Sequence, residues 1–134
     1  MPRTFLTADW HLGETRLQLM QRPFATSEEH VAHLLEKHNQ IVQPEDLVYV
    51  VGDVLWQKAD PAIYLPVIAK FNGRKILIRG NHDRPFTDEQ FRPYFEEIYP
   101  DGSGIDVELG GLACYLTHYP TQGRVDHAGA AAHW

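Results

Sequence analysis

Leu77-Ile78-Arg79-Gly80-Asn81-His82-Asp83-Arg84 reads as a buried strand running straight into a polar loop. The apolar run from Lys75 to Ile78 stops abruptly and gives way to a glycine, an amide, an imidazole and a carboxylate. A strand ending this way delivers several metal-binding or acid–base groups to one place. Three further segments repeat the pattern. Phe5-Leu6-Thr7-Ala8 runs into Asp9-Trp10-His11, and Leu47-Val48-Tyr49-Val50-Val51 runs into Gly52-Asp53. Ala113-Cys114-Tyr115-Leu116-Thr117 runs into His118-Tyr119-Pro120. Each of these strand-like runs ends in a candidate ligand, and in open α/β sheets sites form beyond the carboxyl ends of the strands.

The segments between them supply helices. Thr26-Ser27-Glu28-Glu29 has the form of a capping box, and Val31, Leu34, Leu35, His38, Ile41 and Val42 recur at helical spacing up to Pro44. This predicts a helix over Thr26 to Val42, with His30, His33 and Lys37 on a solvated face. Leu47 to Val51 is short and rich in Val, which suits a central strand. Asp60-Pro61 predicts an N-cap and first helical position, with Ile63, Val67, Ile68 and Phe71 toward the core. Pro66 predicts a kink or a late start, and Asn72-Gly73 a stop. Asp88 to Phe95 reads as a short helix, and the runs Ile105 to Leu109 and Leu112 to Thr117 around Gly110-Gly111 as a β-hairpin. No internal repeat interrupts this series, so residues 1–134 are expected to form a single domain.

Charge and composition narrow the classes of function. With 12 Lys+Arg against 18 Asp+Glu the net charge is −6, a poor match to sequence-independent nucleic-acid binding. A single cysteine, Cys114, excludes an internal disulfide and a thiolate zinc cluster; within its apolar run it is expected to be packed. No run approaches the roughly 20 apolar residues of a membrane span. Met1-Pro2-Arg3-Thr4 enters a strand with no signal-peptide core. A cytoplasmic location is the expectation.

Collected together, Asp9, His11, Asp53, Asn81, His82, Asp83 and His118 form a mixed oxygen and nitrogen set without sulfur. Such a set suits Mn²⁺, Fe²⁺, Zn²⁺ or Mg²⁺. Carboxylates converging without cations would repel, and one aspartate able to bridge is what a two-metal site needs, its ions about 3.5–4 Å apart. A phosphate ester also requires a proton for its leaving oxygen. An imidazole backed by a carboxylate supplies one, and His82 beside Asp83 fits that role. Taken singly, the pieces are weak: Asp-x-His occurs by chance, Gly-Asp can be a turn, a lone histidine is often structural, and Gly-Asn-His-Asp alone can be an Asx-turn. Their order and shared place at strand ends raise their weight.

In that order, Asp9-x-His11, Gly52-Asp53, Gly80-Asn81-His82-Asp83 and His118 resemble the motifs of the calcineurin-like metallophosphoesterase superfamily, in its small bacterial and phage branch. Arg22-Pro23-Phe24 and the run from Asn39 through Pro44 to Gly52 also resemble that branch, and the likeness spans about residues 5 to 120. The resemblance implies an α/β/β/α sandwich around a dinuclear centre. Asp9 and His11 would bind the first metal, Asp53 would bridge, and Asn81 and His118 would bind the second. His82 would be the catalytic histidine with Asp83 supporting it, and a bridging hydroxide would attack a phosphomonoester or phosphodiester.

One departure stands out. The family pattern ends in Gly-His-x-His, which this chain lacks; His127 and His133 are its only later histidines. The domain is therefore expected to be C-terminally incomplete, a sandwich lacking its C-terminal strands, with an exposed sheet edge through which a homodimer could pair. The alternative function is a degenerate metal-binding module without turnover, used for interaction. The expected substrate is a phosphorylated small molecule or nucleotide, with Arg16, Arg22, Arg79 and Arg84 as phosphate donors or, better suited to Arg16 and Arg22, local ion-pair partners. Trp10 and Trp56 flank the ligand loops, either to stack a base or, more ordinarily, to plug the core edge.

Overall fold

Three of the four strand-like runs that end in a candidate ligand meet in one parallel sheet, and the fourth, which leads to His118, lies in a separate antiparallel pair. The computed structural model describes residues 2–15 and 25–119. The elements are β1 (Thr4–Thr7), α1 (Ser27–Ile41), β2 (Leu47–Val51), α2 (Pro61–Ile68), β3 (Arg74–Ile78), α3 (Asp88–Phe91), β4 (Glu97–Tyr99), β5 (Gly104–Leu109) and β6 (Leu112–Thr117). The parallel sheet has the order β1-β2-β3-β4, and β5 pairs antiparallel with β6 across Gly110-Gly111. Both glycines have positive φ, 56° and 83°, as a tight hairpin turn demands. Thr7 pairs with Val50, Val51 with Ile78, and Ile78 with Tyr99. That register brings the carboxyl ends of the strands level, and with them the loops that carry Asp9, Asp53 and Asn81.

The helices start where their caps predict. Thr26 accepts from the Glu29 amide at 3.1 Å, a cap worth about 1 kcal/mol. Asp60 accepts from the Ala62 amide at 2.9 Å. Pro66 lies inside α2 and neither delays nor ends it. Its missing N–H would have bonded Ala62, and both residues are exposed, so that carbonyl is open to solvent. The helix expected over Asp88 to Phe95 is α3 followed by a 3₁₀ turn at Arg92–Tyr94, because Pro93 cannot continue the α ladder.

Apolar side chains fill the space between sheet and helices: Trp10, Leu12, Val48, Val50, Val54, Leu55, Ile68, Phe71, Leu77 and Phe91 are buried in one cluster. Three expectations are corrected. His30 is buried, at 1% exposure, rather than on a solvated face. Ile63, at 59%, turns away from the core. Cys114 is half-exposed, because much of β6 lies open on the hairpin. Strand β4 carried no periodic signal in its three residues. No helix among the described residues is long and apolar enough to cross a membrane.

His38 ties α1 to the sheet layer. Its Nε2 lies 2.8 Å from the Asn72 carbonyl oxygen, and its ring packs edge-on to Trp10 and Phe71. Burial holds its imidazole below the ordinary value of 6.5, with the Asn72 carbonyl pulling the other way. The unfolded chain therefore takes up this proton at higher pH than the folded one. His38 contributes its full stability above about 6.5, and the contribution falls as pH drops through that value. The urea midpoint should be lower at about pH 5.5 than at about pH 7.5. His38→Gln should shrink that difference; an unchanged difference would assign the acid sensitivity elsewhere.

Candidate metal centre

The loops after β1 and β2 are latched to each other before any ligand is considered. Asp9 donates from its amide to the Gly52 carbonyl at 3.0 Å, His11 to the Asp53 carbonyl at 3.0 Å, and Leu12 to the Val54 carbonyl at 2.9 Å. Trp56 returns a bond to the Leu12 carbonyl at 2.9 Å. The latch holds Asp9, His11 and Asp53 at φ of 58°, 50° and 54°. Left-handed backbone is costly for non-glycine residues, and such strain concentrates at functional sites. The ligand atoms of these three residues lie within 4.8 Å of one another. His11 Nε2 is 3.8 Å from Asp9 Oδ1 and 3.5 Å from Asp53 Oδ2.

His118, at the end of β6, closes the other side. Its Nδ1 lies 3.0 Å from the Val51 carbonyl oxygen, which can only accept, so Nδ1 carries the proton and Nε2 presents a lone pair in the neutral ring. That Nε2 faces Asp53 Oδ2 at 3.3 Å and Asn81 Oδ1 at 3.1 Å. Acceptor atoms converging this closely fit a bound cation. Asp53 is central to both sides. Its Oδ1 accepts from the His82 amide at 2.9 Å, leaving Oδ2 between the two histidine Nε2 atoms.

The glycines of the motifs make the room. A Cβ on Gly80 would stand 2.4 Å from Asp53 Oδ1 and 2.9 Å from His118 Nε2. One on Gly52 would stand 2.2 Å from His118 Nδ1. Gly80→Ala should therefore displace Asp53 and weaken any divalent-cation binding at this group by roughly tenfold or more, in the range of other perturbations around metal ligands. Calorimetric titration checks it, and wild-type affinity would show that the loop relaxes freely.

The His82 ring lies 5.0 Å from the His11 ring and 5.6 Å from that of Trp56. Asp83 does not support it. Asp83 is fully buried, with Oδ2 accepting from the Asp53 and Gly80 amides and Oδ1 from those of Val54 and Leu55. Burial pushes its carboxyl above the ordinary range, while the amides pull it back. Asp83 is a clamp on the ligand loops rather than a partner for the histidine.

The calcineurin-like phosphoesterase family matches this sequence over residues 2–129. The chain belongs to that family. It is 36% identical over 147 residues to the Gene 66 protein of Mycobacterium phage L5, covering 99% of this chain and 70% of that protein. It is 31% identical over 121 residues to an uncharacterized protein of Methanocaldococcus jannaschii, covering 90% of this chain and 60% of that one. A solved structure, of a protein of unknown function from Aquifex aeolicus, superposes with a TM-score of 0.70 at 30% identity, covering 92% of this chain and 63% of that chain. The chain thus spans less than two thirds of the archaeal and Aquifex proteins. The mixed α/β fold with its parallel sheet is that of the metallophosphoesterases, as the strand-end motifs imply.

Other residues of this family member take more ordinary places. Arg79 pairs with Asp88 at 2.6 Å and donates to the carbonyls of Asp83 and Phe86, so it braces the loop. Arg84 is exposed and pairs with Asp101 and the Tyr119 hydroxyl. Trp10 is a core plug, stacked on Phe71 at 4.1 Å. Arg16, Arg22, Pro23, Phe24, His127 and His133 lie outside the described residues. Glu14 went unnoticed in the sequence. It is fully buried, with Oε2 3.9 Å from His11 Nδ1. Its only signal was an acidic residue just past Gly13.

Proposed function

We propose that the chain hydrolyses a phosphate ester using two divalent cations, one held by Asp9, His11 and Asp53 and the other by Asp53, Asn81 and His118. The observation that carries this is the placement of Asp53 Oδ2 between His11 Nε2 and His118 Nε2, at 3.5 Å and 3.3 Å. Bound cations supply a nucleophile from water at neutral pH and neutralise the phosphoryl oxygens. The chain's own residues do the remaining work. The latch between Asp9 and Gly52 and the Asp83 clamp keep the ligands in place before binding. His82, half-buried beside Trp56 and near His11, protonates the leaving oxygen. The net charge of −6 favours a phosphorylated small molecule or nucleotide over a long nucleic acid.

The test is metal content per chain after reconstitution with Mn²⁺ and desalting, followed by assays on p-nitrophenyl phosphate and bis(p-nitrophenyl) phosphate. About two ions per chain with turnover of either ester is the expected result. Uptake without turnover would instead assign a non-catalytic metal-binding module.

A further inference from the structure

We propose that Glu14 is a positioning residue for His11: it holds the Nδ1 proton so that Nε2 is presented to the cation site, an inference that rests on the metal reading above. His11 and Glu14 are the two ends of one tight turn, closed by the Glu14 amide on the His11 carbonyl at 3.0 Å. Between them Gly13 is pressed so close to the segment leading into α2 that a Cβ there would stand 2.8 Å from the Ala59 Cβ. On the other side, Ser27 at the start of α1 donates its hydroxyl to the Glu14 carbonyl at 2.7 Å. The backbone of Glu14 is thus fixed at both faces, and its side chain is buried.

The ring of His11 is contacted at both nitrogens by acidic side chains, with different meanings. Nε2 is 3.5 Å from Asp53 Oδ2 and 3.8 Å from Asp9 Oδ1, the side on which a cation would sit. Nδ1 faces Glu14 Oε2 at 3.9 Å, on the far side. That distance exceeds an N–H···O bond of about 2.9 Å by about one ångström, so the bond requires the Glu14 carboxylate to turn toward the ring. A carboxylate on the nitrogen remote from a metal fixes the tautomer, fixes the ring plane and makes the ligating nitrogen more basic. His118 shows the same device with a different acceptor, its Nδ1 held by the Val51 carbonyl. The two histidine ligands are therefore oriented by separate groups, a backbone carbonyl for one and Glu14 for the other.

The experiment is ¹⁵N-histidine NMR of the full chain, metal-free and Zn²⁺-loaded, alongside Co²⁺ titrations followed by visible absorption. Wild type, Glu14→Gln and Glu14→Ala are compared, with His11→Gln to assign the His11 signals. Wild-type His11 should be the Nδ1–H tautomer. Glu14→Ala should lose roughly 10–100-fold in Co²⁺ affinity and change the absorption spectrum. Glu14→Gln, whose amide oxygen still accepts from Nδ1–H, should recover most of the affinity. An Nε2–H tautomer in the wild type, or wild-type Co²⁺ affinity in Glu14→Ala, would overturn the proposal. If the wild type takes up no Co²⁺, the metal reading fails, and the metal-free tautomer still decides the role of Glu14. Should Glu14→Ala not fold, the wild-type tautomer and the Glu14→Gln titration decide it.

Discussion

If the chain hydrolyses esters with two cations as proposed, Asp53→Asn should reduce that Mn²⁺-supported turnover by roughly a hundredfold or more, since even residues that only support ligands change metal affinity or activity 10–100-fold. Asparagine is the informative replacement because it tolerates left-handed backbone, and Asp53 sits at φ 54°. The Asp9–Gly52 and His11–Asp53 backbone latch should therefore survive, and the retained oxygen can still accept from the His82 amide. What goes is the negative charge facing the Nε2 atoms of His11 and His118. If that carboxylate bridges two cations, both sides weaken together, and metal content should fall from about two to one or fewer per chain. Thermal stability of the metal-free protein should hardly change. Two retained ions with turnover within about tenfold of wild type would place the bridge on another residue.

How legible all this was depends on the kind of contact. The strand ends were readable because continuous apolar runs such as Leu47 to Val51 stop at abrupt polar loops. The parallel register then converts sequence order into spatial convergence. Roles set by direction were not readable. His82 and Asp83 are neighbours in sequence, but Asn81–Asp83 forms a 3₁₀ turn, with three residues per turn. Successive side chains there point about 120° apart, so one faces the site and the other the backbone amides behind it. Glu14 and His30 were hidden for a related reason. A polar residue that a turn or helix buries leaves no periodic trace, since hydrophobic spacing reports only on apolar neighbours. β4 was hidden by its length, because three residues are too few to show alternation.

Asp83 carries the other large expected effect, and it falls on stability. Its two oxygens accept four backbone N–H groups, at 2.9 Å from Gly80, Asp53 and Val54 and 3.3 Å from Leu55. These amides lie on the loops after β2 and β3, so one side chain holds together two of the segments that carry ligands. Asp83→Ala should destabilise the fold by about 3–5 kcal/mol, because it strands buried donors that water cannot reach and leaves a void. That is a large share of the roughly 5–15 kcal/mol of a typical domain. Burial disfavours the charged carboxyl while the amides favour it, so charge and acceptor geometry both enter. Asp83→Asn separates the two, because it keeps the volume and one acceptor oxygen but places an NH₂ group against amide donors. It should lose about half as much stability as alanine, through unsatisfied donors alone. Urea unfolding of the metal-free variants measures both. A loss below about 1 kcal/mol for Asp83→Ala would mean that the backbone latch holds the loops unaided. A full loss for both variants would put the whole effect in the carboxylate's paired oxygens, and metal affinity should then fall with stability in each.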